Sequence, residues 1–172
     1  YLYDDIPLPF STINFLKSTQ QPLHSDYTHF GTIPKLKIAG SWIALEDIDI
    51  RSGPLQLVPG SHKMRIYNFF NKRKDIPTSL KQIKKNYSKY EKFIKQQIKI
   101  KKLKTITPKM VKGDCIIWSA NLLHGSPKCL DNKISRKSQV THWSFKSVKN
   151  HYNPFYSIPQ KSFYQYREVK YF

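Results

Sequence analysis

A chain of 172 residues, 39% hydrophobic and 14% aromatic, is long enough for one compact core and is not of disordered composition. Its two cysteines, Cys115 and Cys129, are too few for a disulfide scaffold and fit a reducing compartment, most simply the cytoplasm, and no apolar run approaches the roughly 20 residues that cross a bilayer. The net charge is +19, and residues 63–112 hold 17 of the 30 lysines and arginines against two acids, Asp75 and Glu91; such a field attracts an anionic substrate, nucleic acid or a membrane face, or is the solvated surface of a helix.

Strand signals dominate on both sides of that basic stretch. Ser11–Ser18 (STINFLKS) reads as a short strand. Lys37–Ile50 (KIAGSWIALEDIDI) reads as a long one, with Trp42, Ala44 and Glu46 on one face and Ile43, Leu45 and Asp47 on the other. Arg51–Pro54 is a turn, Leu55–Val58 a further strand, and Pro59–Lys63 a second turn. Then the period changes. Leu80, Ile83, Tyr87, Tyr90, Ile94 and Ile98 recur at steps of three and four, which predicts an amphipathic helix over about Ser79–Gln97, with Thr78 or Ser79 as its N-cap. The helix is expected to run into a strand-like IKIKKLKTI. Beyond it, Lys112–Asp114 turns into the strand Cys115–Ser119, and Ser135–Phe145 alternates as the last strand. Short strands separated by turn signals predict a barrel or jelly roll rather than a parallel sheet.

The chemistry-bearing residues lie on the strand segments. His24 and Asp26 sit two apart, a spacing that puts both side chains on one face of extended chain and turns Ser25 away. Alone, such a pair is equally an aspartate cap beside a surface histidine. His124, after a strand and next to Gly125, is the candidate for a third donor. Two imidazoles and one carboxylate leave positions open on Fe(II) for a co-substrate and dioxygen. Twelve residues on, Arg136 begins a strand face shared with Ser138, Val140 and His142. Arginine is scarce here, five among 30 basic residues, and its planar fork suits a carboxylate.

Four stretches, in order, now carry a resemblance: Gln20–Asp26 (QQPLHSD), Gly40–Lys63 (GSWIALEDIDIRSGPLQLVPGSHK), Lys112–Ser126 (KGDCIIWSANLLHGS) and Asn132–Ser138 (NKISRKS). In them the chain resembles the phytanoyl-CoA dioxygenase family of Fe(II)/2-oxoglutarate-dependent oxygenases. The resemblance implies a mainly β fold, the double-stranded β-helix or cupin-like jelly-roll barrel, here with one basic, partly helical insertion at residues 66–104 inside a single domain of residues 1–172. It implies that His24, Asp26 and His124 are the metal-binding and catalytic residues and that Arg136 holds the distal carboxylate of 2-oxoglutarate. It places Trp42 and Ser126 beside that co-substrate, and Ser138 offers a further hydroxyl. The implied reaction uses Fe(II), 2-oxoglutarate and O2 to hydroxylate a substrate, releasing succinate and CO2; the charge of the basic insertion, which falls between the two halves of the ligand set where it could lid the barrel mouth, points to a small, anionic one. Family members carry more chain before the H-x-D pair than the 23 residues present here, so either a leading segment is missing or the barrel is reduced.

The remaining histidines read differently. His62 belongs to a turn, His29 is a pocket-edge or packing residue, His142 can line the site, and His151 carries no signal. Glu46 and Asp47 read as turn or supporting residues, with Glu46 able to face the cavity. The rival function is a basic nucleic-acid-binding protein that uses the jelly roll as a scaffold without catalysis, with the aromatic tail at residues 151–172 supplying stacking. That tail equally reads as packing over the barrel.

Overall fold

The computed structural model of the protein describes residues 3–167. In chain order its strands and long helix are β1 (Pro7–Phe15), β2 (Gly31–Ile33), β3 (Ala39–Ala44), β4 (Gln56–Leu57), α1 (Leu80–Ile100), β5 (Cys115–Ser119), β6 (His124–Gly125), β7 (Ser138–Phe145) and β8 (Asn150–Tyr152). The expected mainly β architecture is present. Four antiparallel strands run in the order β1-β7-β3-β5. A second sheet forms around the pair β4–β6, extended on one side by the His24–His124 bridge and on the other by Leu57–Ile106. The inward residues of the two sheets meet in a core of Trp42, Ala44 and Trp118 against Leu55 and Leu57. β2 and β8 form a separate ribbon at one end.

Several strand ends differ from the sequence reading, each for a local reason. β1 begins at Pro7, ahead of Ser11, and stops at Phe15. Prolines at 7 and 9 argue against a central strand, but β1 is the outermost strand of its sheet, where missing N–H donors are tolerated. A register shift between Pro9 and Ser11 absorbs the irregularity. β3 ends at Ala44, not Ile50. Past it, acidic side chains take the backbone donors that a ladder would need: Glu46 accepts the Lys137 N–H at 2.7 Å, Asp47 the Lys112 N–H at 2.9 Å and Asp49 the Arg51 N–H at 2.8 Å. Gly53, at φ 74°, then reverses the chain in a conformation that side chains disfavour.

The basic segment departs most from expectation. Ser79 is the N-cap, and Gln82 reaches back to the Thr78 N–H at 2.7 Å, a variant of the capping box. The helix does not give way to a strand at Gln97 but continues to Ile100. Ile98 prolongs the Tyr90–Ile94 stripe by one more step of four, and that burial outweighs the β-like alternation of IKIK. The helix closes with Lys102 at φ 52° and with Leu103 N–H to Ile98 O at 3.0 Å and Lys102 N–H to Lys99 O at 3.2 Å, the bonding pattern of a Schellman motif. Seven lysines of α1 (81, 84, 85, 89, 92, 95 and 99) are exposed on its outer side. No helix among the described residues is long and apolar enough to cross a membrane.

Of the aromatic tail, the part through Arg167 packs on the barrel, with Tyr152 buried and Tyr164 against it; residues 168–172 lie outside the described residues. Gly40 is required by close approach. A Cβ at Gly40 would lie 2.4 Å from the Trp118 indole. Gly40→Ala is therefore expected to lower unfolding free energy by about 1–3 kcal/mol through overpacking, read from chemical denaturation.

Candidate metal centre

His24 and His124 face each other across the second sheet. Their backbones exchange two hydrogen bonds, each 2.9 Å, and this pairing brings the ring centroids to 4.5 Å. Each imidazole is oriented in the same way. His24 Nδ1 lies 2.9 Å from Pro22 O and His124 Nδ1 lies 3.0 Å from Leu122 O, in both cases the carbonyl two residues back. A carbonyl only accepts, so each Nδ1 carries the proton and each Nε2 is left with its lone pair. Ser25 is extended at φ −111° and ψ 144°, and Asp26 opens a short 3-10 turn. The carboxylate therefore joins the two rings while the Ser25 side chain turns the other way, to Thr28 and Tyr90. One donor atom from each of His24, Asp26 and His124 lies within 4.8 Å of the others, and all three residues are buried.

The electrostatics match a site that accepts a cation. Burial alone would raise the Asp26 carboxyl, but the imidazoles of His124 and His142 hold it well below its ordinary value. Burial, with His124 alongside, pushes His24 down to about 3, so that ring is neutral and available as a ligand at physiological pH. Burial also works against a charged His124, yet Asp26 outweighs it and raises that ring. A bound dication answers the carboxylate in place of a proton. Two nitrogens and one oxygen, without thiolate, suit a non-haem divalent ion such as Fe(II) and leave coordination positions open.

Around the donors lies an open cavity of about 260 Å³, near the lower end of the roughly 300–1,000 Å³ of small-molecule sites. Trp42, Ser126 and Arg136 share its lining with the three donors. Arg136 is 3% exposed, and burial pushes its guanidinium down to about 10, still charged at neutral pH. Its Nη1 donates to Ser126 Oγ at 3.1 Å and to Gly53 O at 3.3 Å. Its carbon lies 5.7 Å from the Trp42 ring centroid. Its buried Nε has no hydrogen-bond partner among the described residues, an orphan that a ligand carboxylate satisfies. Ser138 is not brought to this lining. Its hydroxyl is fully buried without a hydrogen-bond partner among the described residues.

His142 lines the cavity, with Nε2 3.3 Å from Asp26 Oδ1, and His29 sits at its edge against the His24 ring. His62 is exposed on its turn. Glu46 turns away to Lys137 and does not reach the cavity. No residue of the 66–104 segment lines it either; α1 packs beneath the donor loops.

Sequence reasoning missed Trp118. Its indole N–H donates to Asp26 Oδ2 at 2.7 Å and so fixes the carboxylate plane. The alternation of CIIWS placed Trp118 on a face with Ile116 and was the available signal. Trp118→Phe keeps an aromatic side chain, smaller than the indole, and deletes the donor. It is expected to weaken divalent-metal affinity by ~10–100-fold, the usual cost of losing a partner of a metal ligand, measured by Co(II) titration.

The phytanoyl-CoA dioxygenase (PhyH) family profile matches residues 7–138. Peroxisomal phytanoyl-CoA dioxygenase of Mus musculus is 29% identical over 110 residues, covering 64% of this chain and 29% of that protein. The Homo sapiens protein of the same name is 26% identical over 136 residues, covering 79% and 36%. The chain thus spans about a third of the length of the curated relatives it matches. Among solved structures, the non-heme alpha ketoglutarate dependent epimerase SnoN from nogalamycin biosynthesis aligns with a TM-score of 0.56 at 19% identity, over 83% of this chain and 51% of that one. EctD from S. alaskensis aligns at 0.54 and 16% identity, over 82% and 46%. At these identities the likeness shows the fold, a double-stranded β-helix.

Proposed function

The chain belongs to the phytanoyl-CoA dioxygenase family, and from that premise we propose that it is an Fe(II)- and 2-oxoglutarate-dependent dioxygenase hydroxylating a small organic substrate. The observation that carries this reading is the buried His24, Asp26 and His124 donor set beside a buried arginine whose Nε lacks a partner among the described residues. The neighbour SnoN has been solved with Fe3+ and alpha ketoglutarate, which supports the same pairing here.

His24, Asp26 and His124 hold the ion, with the two Nδ1 protons kept on backbone carbonyls so that neither ring can turn. When bound, the ferrous ion, 2-oxoglutarate and O2 supply the oxidising power that places a hydroxyl on a C–H bond and leaves succinate and CO2. Arg136 grips the far carboxylate of the co-substrate through its free donors, and Ser126 steadies the guanidinium. Trp42 forms the floor under that arginine. Phe15, Phe30, Leu55 and Val140 supply apolar lining that limits water near the reacting centre.

The proposed substrate is anionic, drawn in by a chain of net charge +19. Its apparent affinity is expected to weaken as ionic strength rises; indifference to salt removes the steering argument. The two free cysteines support a reducing compartment such as the cytoplasm. The test of the activity is succinate formation from 2-oxoglutarate with Fe(II) and O2. No succinate above the metal-free control refutes it.

A further inference from the structure

The basic helix α1 lies outside the cavity, yet it is packed against both loops that carry the donors. Tyr90 and Ile94, 3% and 2% exposed, form one cluster with Leu123 and with partly buried Leu23. Each of those leucines immediately precedes a donor histidine. Tyr90 goes further than packing. Its hydroxyl accepts the Ser25 N–H at 3.0 Å and lies 3.2 Å from Ser25 Oγ. Ser25 Oγ in turn lies 3.0 Å from Thr28 Oγ1, and the Thr28 N–H bonds Ser25 O at 3.0 Å.

Ser25 is the single residue between His24 and Asp26. Its backbone must stay extended for an imidazole and a carboxylate two positions apart to converge on one point. On the His24 side the backbone is held by His124. On the Asp26 side it is held by the 3-10 turn. Between these anchors, the Ser25 N–H is tied down by a group 65 residues away. A buried amide needs such an acceptor, and losing it lets the peptide rotate towards another.

We propose that Tyr90 is a positioning residue of the metal centre: its phenol pins the Ser25 peptide and so fixes the spacing of His24 and Asp26. The inserted helix is then a buttress beneath the donors rather than a lid over the cavity. This rests on the metal-site reading above, and the experiment separates the two.

The 172-residue chain, freed of metal, is titrated anaerobically with Co(II), following visible absorption, with the thermal midpoint of the metal-free protein as a second measurement. Tyr90→Phe keeps the ring and deletes the acceptor; it is expected to raise the Co(II) dissociation constant ~10-fold and to change the absorption envelope. Ile94→Val thins the same helix contact without touching Ser25. It is expected to lower the thermal midpoint while leaving Co(II) affinity within about twofold, as a purely structural change does. Ser25→Ala removes the Oγ contact but keeps the N–H bond, and is expected to lose less than Tyr90→Phe. Unchanged Co(II) binding in Tyr90→Phe, or equal weakening in Ile94→Val, overturns the positioning role. A wild-type chain that binds no Co(II) overturns the metal-site reading itself, and this proposal with it.

Discussion

His124→Ala is expected to remove succinate formation and to lower Fe(II) affinity by more than the roughly 10–100-fold that loss of an outer partner costs. The substitution is informative because it spares the scaffold. The two backbone hydrogen bonds that join residues 24 and 124 need no side chain and persist. Trp118 still holds Asp26 Oδ2. What goes is one of three buried donors, together with the counterpart that faces Asp26 Oδ1 at 3.4 Å. His142, at 3.3 Å from the same oxygen, and the Trp118 indole remain in contact with the carboxylate, so the metal-free variant stays folded, which its thermal midpoint will show. Equal succinate production by wild type and His124→Ala ends the enzyme reading.

Arg136→Ala is expected to act on a different quantity. The guanidinium is buried beside an apolar lining and its Nε has no partner among the described residues, so a carboxylate placed there forms a desolvated, charge-assisted pair. Truncating one member of such a pair costs about 2–5 kcal/mol. The 2-oxoglutarate concentration for half-maximal rate should therefore rise ~30-fold or more, with much less change in the rate at saturation. Arg136→Lys should recover only part of this, because a single ammonium cannot reproduce two parallel N–H bonds. The thermal midpoint must be followed in parallel, since Nη1 also ties Gly53 O and Ser126 Oγ. An unaltered 2-oxoglutarate requirement places the co-substrate elsewhere.

The site was legible in the sequence where its logic is local. His24 and Asp26 converge because extended chain puts alternate residues on one face, and Arg136, Val140 and His142 follow the same period of two along β7 and its approach. The supporting contacts were not legible, because they join residues far apart. Tyr90 falls on an apolar stripe, but nothing in a step of three or four says that its hydroxyl meets a peptide 65 residues away. Trp118 reaches Asp26 across 92 residues. Ser138 shows the converse limit. The strand period gives its side but not its depth, and Ser138 is fully buried and does not line the cavity. The end of β3 at Ala44 and the start of β1 at Pro7 were not legible, because acidic side chains past Ala44 take backbone donors that propensity assigns to a ladder and because Pro7 and Pro9 read against a strand.

The two outermost strands of the four-stranded sheet are unlike each other. β1 carries Pro7 and Pro9 and a register shift, so it offers few donors to a passing chain. β5 contains no proline, and its Ile117 is 65% exposed. Of these two margins β5 is the more open template for strand-by-strand addition of one molecule to another, and a crowded solution of this protein is more vulnerable to self-association there than along β1.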